Sequence, residues 1–87
     1  MSNHIKTYAE AIAAVEASTV GQTIKRVFIE TLNDAHDGAR SDWHEVFSVS
    51  RKFCGGTAEH QAAMDLIVAI DLDAIMSAAH AIEGGAA

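Results

Sequence analysis

Apolar residues recur along this chain at spacings of three and four, which is the period of an α-helix lying on a core. Tyr8, Ile12 and Val15 fall on one face. Val20, Ile24, Val27, Phe28, Thr31 and Ala35 form a longer stripe. Trp43, Val46, Phe47, Ser50, Phe53 and Cys54 form a third, and Met64, Val68, Leu72, Ile75, Ala79 and Ile82 a fourth. The pattern predicts an all-α domain, a compact bundle of four helices, or five if the last one breaks near Asp71-Asp73.

Local signals set the expected boundaries. Thr7 and Glu10 make a capping-box pattern ahead of a helix over Tyr8–Ala17, and Thr19 and Gln22 repeat it ahead of one over Val20–His36. Gly38 suits the left-handed turn that ends the second helix. Ser41 is placed to cap the third, with Asp42 in its first turn and Gly55 at its end. The fourth is expected after Thr57 and is stopped by Gly84. From Ala58 to Glu83 it would span about 39 Å at 1.5 Å per residue, against a radius of gyration of about 12 Å for a domain this size. It therefore breaks or projects, and Asp71 and Asp73 are the residues fit to restart it. On a continuous helix Leu66 and Ile70 point away from the main stripe. This singles them out for self-association, as a homodimer, unless the first helix covers them.

The chain has 87 residues, no proline and one cysteine, Cys54. This length makes residues 1–87 one domain, with 1–6 and 84–87 as loose ends. A lone cysteine forms no intrachain disulfide and accords with a cytoplasmic setting. Followed by Gly55-Gly56 and sharing a face with Trp43 and Phe47, it reads as a buried, inert thiol rather than a nucleophile. No apolar run is long enough to span a bilayer.

The net charge is −6, unevenly placed: no Lys or Arg follows Lys52, while Glu59, Asp65, Asp71, Asp73 and Glu83 do. Such a surface repels phosphates and membranes and attracts basic surfaces. On the second helix Glu30, Asp34 and Asp37 repeat at i, i+4 and i+7. Their spacing approaches that of phosphates on a nucleic-acid strand, so acidic mimicry is the sharpest binding expectation. Asp65 and Asp73 extend the acidic set.

The chemistry-bearing residues point away from catalysis. No two of His4, His36, His44, His60 and His80 stand at i+3 or i+4, so no helix presents a two-histidine metal edge. Asp73, Ser77 and His80 share a polar face. A mid-helix serine, however, lacks the strained turn and oxyanion donors that a nucleophile needs. No metal, cofactor or catalytic residue is expected. Lys25, Arg26 and Arg51, with Tyr8 to stack on a base, offer an alternative: an anion-binding end for a nucleotide. No glycine-rich phosphate loop accompanies them.

In size, acidity and all-helical pattern the chain is similar to many small inhibitors encoded by phages, anti-CRISPR proteins among them. This is a likeness of type, carried by no shared motif. It implies a non-enzymatic phage or mobile-element inhibitor that docks on a nucleic-acid-handling host complex. Its partner would be a protein with a basic surface, with no direct contact to nucleic acid or membrane.

Overall fold

The core is organised around one amphipathic helix. The computed structural model describes residues 4–86, with the side chains of all of these except Cys54 and 81–86. Five helices follow one another: α1 (Tyr8–Ala17), α2 (Gln22–His36), α3 (His44–Cys54), α4 (Ala58–Ala69) and α5 (Leu72–Ala86). α2 is the hub and packs against α1, α3 and α5, while α4 packs against α3. Its whole expected stripe is buried, from Ile24 through Val27, Phe28 and Thr31 to Ala35, and Leu32 joins it with no exposed surface. Each large side chain so removed from water contributes about 1.5–3 kcal/mol. Val20, from the link ahead of α2, is buried with them. The molecule is elongated, 47 × 22 × 18 Å, with a radius of gyration of 13.0 Å.

The ends of the helices explain themselves chemically. Thr7 accepts the Glu10 amide and Thr57 the His60 amide through their hydroxyls, at 3.2 and 3.3 Å, so each supplies one of the bonds a helix start lacks. The pattern at Thr19 and Gln22 makes no cap: α2 starts at Gln22 behind Gly21, with no side-chain cap bond. Ser41 does not cap α3 either. Its hydroxyl donates to the Ala39 carbonyl at 3.1 Å, and Asp42 instead accepts the His44 amide at 2.9 Å. Gly38 closes α2 with a φ of 87°, in the left-handed region. At Gly55, a Cβ would stand 2.5 Å from the Arg51 carbonyl oxygen, so the turn between α3 and α4 excludes a side chain.

The long C-terminal stretch breaks between Ala69 and Leu72, and Asp71 restarts it by accepting the Ala74 amide at 3.0 Å. The corner is closed from the other end of the chain. The Ile5 amide donates to the Ala69 carbonyl at 3.0 Å and the Asp71 amide donates to the Ile5 carbonyl at 2.8 Å, a parallel bridge between Ile5 and Ile70. Ile5 is thus held rather than part of a loose end. At the other terminus α5 runs through Gly84 to Ala86.

The break also reassigns faces. Leu66 and Ile70 are buried in the core, which takes away the reason for giving them a self-association role. Val68, expected in the core stripe, is half exposed, as α4 turns a different side inward when it ends at Ala69. On α3 only the middle of the expected inner face is covered. Val46 and Ser50 are fully buried, whereas Phe47 and Phe53 are 41% and 66% exposed. The largest enclosed side chain is Phe28 rather than Trp43, which packs half-buried against it with ring centroids 5.4 Å apart. Among the described residues no helix is long and apolar enough to cross a membrane.

Candidate functional site: an acidic joint between α2 and α3

The segment from Gly38 to Trp43 turns the chain from α2 into α3 and adds its own carboxylate to others from α2, α3 and the corner between α4 and α5. Asp34 from α2, Asp42 from the joint and Glu45 from α3 line one shallow hollow, beside Arg40 and Thr31. Asp42 faces a second hollow with Asp71 and Asp73, which come from the corner between α4 and α5, and with Trp43 and Ile67. Asp73 and Asp42 continue into a third, wider depression of about 720 Å³ that includes Arg40, Ser77 and His80. Asp34, Asp42, Glu45 and Asp73 are exposed and Asp71 is half-buried. Arg40 is the one Lys or Arg side chain lining these walls. The joint is held in place by the Ser41 amide, which points at the Met76 sulfur of α5 at 3.3 Å.

Not all of the acidic residues singled out in the sequence meet here. Asp34 and Asp73 do. Asp37, the C-cap of α2, keeps right-handed helical backbone and its amide donates to the Asn33 carbonyl at 3.0 Å, so it ends the i, i+4, i+7 series in register but lines none of these hollows. Glu30 lies in a separate hollow of about 450 Å³ with Glu16, Lys25 and Arg26. Asp65 is exposed on α4, where it accepts a bond from the Gln61 side-chain amide at 2.9 Å. Asp42, Glu45 and Asp71 complete the joint, and helical spacing did not single them out. For Asp42 and Glu45 the available signal was density: Asp34, Asp37, Asp42 and Glu45 fall within twelve positions in which Arg40 is the one Lys or Arg.

The alternative anion site is not gathered. Lys25 and Arg26 share a hollow with two glutamates, and the Lys25 ammonium donates to the Glu16 carbonyl at 2.9 Å. Tyr8 stands about two turns further along α2, where its hydroxyl donates to the Asn33 side-chain oxygen. Its ring stacks on His36, with centroids 4.2 Å apart and planes 20° from parallel. Arg51 is exposed on α3 and lines neither place.

Asp73, Ser77 and His80 are all exposed on α5, and Ser77 lies in mid-helix, where neighbouring amides are already engaged. His60 is half-buried, with its Nδ1 2.9 Å from the Ser50 hydroxyl and its ring 6.2 Å from that of Phe47, as a packing residue would be. Among the described residues no three His, Cys, Asp or Glu side chains are grouped to hold a metal ion. The reading of Cys54 as an inert thiol falls outside the described side chains. Comparisons with protein-family models, with curated proteins and with solved structures each find no match.

Proposed function

We propose that this chain is a non-enzymatic binding protein that presents the carboxylates of the α2–α3 joint to a basic protein surface. Its most concrete form is a small inhibitor, of the phage or mobile-element type, that occupies a basic groove meant for nucleic acid. The observation that carries this reading is the convergence of Asp34, Asp42, Glu45, Asp71 and Asp73 on one joint with Arg40 as the intervening cation. Like charges held together on a folded surface repel, and that repulsion is relieved by a cationic partner. Asp34 and Asp37 also sit at the C-terminal end of α2, where the helix dipole disfavours an anion by about 0.3–1 kcal/mol each.

The test uses the triple variant Asp34→Asn, Asp42→Asn, Asp73→Asn, in which asparagine at 42 keeps the bond to the His44 amide. The parent chain, immobilised, is expected to capture a basic nucleic-acid-handling protein from host lysate. Single-stranded DNA should displace it, and raising salt from 0.1 to 0.5 M should release it, since screening then falls well below about 8 Å. The folded triple variant should capture none. Capture that ignores both salt and the three substitutions would overturn the reading.

A further inference from the structure

α3 carries an unused face whose charges are arranged to suit a copy of itself. Val46 and Ser50 turn inward, and His44, Ser48 and Arg51 lie along the opposite, exposed side. Glu45 and Lys52, also exposed, are seven residues apart and so lie within about 20° of each other on one edge of that side. Phe47 forms the other edge, 41% exposed. The apolar edge continues on α4. The three-residue link over 55–57 makes α3 and α4 antiparallel neighbours, and the Phe47 ring lies 6.2 Å from that of His60. Met64 and Val68 follow His60 at i+4 and i+8 in the same row, and Val68 is half exposed.

We infer that this face is a self-association surface, on which two copies of α3 pack antiparallel about a twofold axis near Ser48. The occupant is set by the charge pattern. An acid at one end of an edge and a base at the other, with a small residue midway, becomes its own complement when turned end for end. In that arrangement Glu45 of each copy meets Lys52 of the other, twice over, and the Phe47 edges meet each other. A purely basic partner would confront Arg51 and Lys52, and a purely acidic one Glu45. Glu45 belongs to both this face and the acidic joint, so Lys52→Glu, outside the joint, tests pairing alone, and the joint substitutions Asp34→Asn, Asp42→Asn and Asp73→Asn lie outside this face.

Sedimentation equilibrium from 5 to 500 μM decides it. The parent is expected to rise toward twice the 9.2 kDa of one chain. Lys52→Glu alone, and Glu45→Lys alone, should each weaken pairing by about tenfold, because both symmetric contacts turn repulsive. The double exchange Glu45→Lys, Lys52→Glu should restore it. Both side chains are solvent-facing, so circular dichroism of each variant should match the parent. A parent that remains at one chain mass at 500 μM overturns the inference. So does a dimer indifferent to the single exchanges, or one that the double exchange fails to restore.

Discussion

Replacing Phe28 with alanine is expected to cost about 3–5 kcal/mol, because its ring is fully enclosed in the core. Trp43→Ala should cost clearly less, despite the larger side chain, since part of the indole already meets water. Urea denaturation of the two variants measures the difference, and equal losses would show that Trp43 anchors the core as strongly as Phe28. The carboxylates behave oppositely. Asp34→Asn and Asp37→Asn remove charge from the unfavourable end of the α2 dipole and should each raise stability by about 0.3–1 kcal/mol. Asp34→Asn should at the same time weaken capture of a basic partner. A gain in stability paired with a loss of binding is the signature of a residue kept for contact rather than for folding. If Asp34→Asn stabilises nothing and binds normally, neither role holds for it.

At the level of elements, the caps separate what spacing can and cannot reveal. Thr57→Ala should lower stability by about 1 kcal/mol, since its hydroxyl accepts the His60 amide, whereas Thr19→Ala should be within about 0.5 kcal/mol of the parent. Thermal melts of the two resolve this, and equal effects would contradict the observed start of α2. In the sequence Thr19 has the fuller signal, with Gln22 three positions on where Thr57 has His60. What differs is whether the chain ahead enters at the angle a cap requires, and that depends on Val20, which the core draws inward and away from the helix. The stripe on α2 was legible except for Leu32, because three other helices cover it. The stripe on α3 was legible only at Val46 and Ser50: α2 and α4 cover a narrow arc, and Phe47 and Phe53 fall outside it. Asp71 was readable as a restart, but the sequence did not disclose what would satisfy the backbone at the break. Half of the acidic joint was hidden for a similar reason. Asp42, Asp71 and Asp73 become neighbours only after the α4–α5 corner folds back on the α2–α3 turn.

The molecule as a whole is an elongated body, and among the described residues one backbone bridge ties the start of the chain to its C-terminal half, beside the packing of α2 on α3 and α5. α1 has α2 as its principal helical neighbour, and α4 is held chiefly by α3. Ile5 therefore does more than its size suggests. It links the segment ahead of α1 to the corner between α4 and α5, through one donated and one accepted bond. That corner carries Asp71 and Asp73, so the bridge also fixes one wall of the acidic joint. Proline at position 5 removes the amide donor and leaves the Ala69 carbonyl without this partner. Ile5→Pro is expected to cost about 1–3 kcal/mol, the penalty for an unmet backbone group in a partly covered site. Ile5→Val keeps both bonds and should lose no more than about 1.5 kcal/mol. Hydrogen exchange distinguishes a local from a global effect. In Ile5→Pro, the amides of Asp71 and Ala74 should exchange faster than those of Phe28 and Leu32, because the corner opens while the α2 core stays closed. Weaker capture of a basic partner by the same variant, with α2 still protected, would tie the bridge to the joint. Unchanged protection at Asp71 and Ala74 would mean that the corner is held by Leu66, Ile70 and Leu72 alone, and that the bridge adds nothing to it.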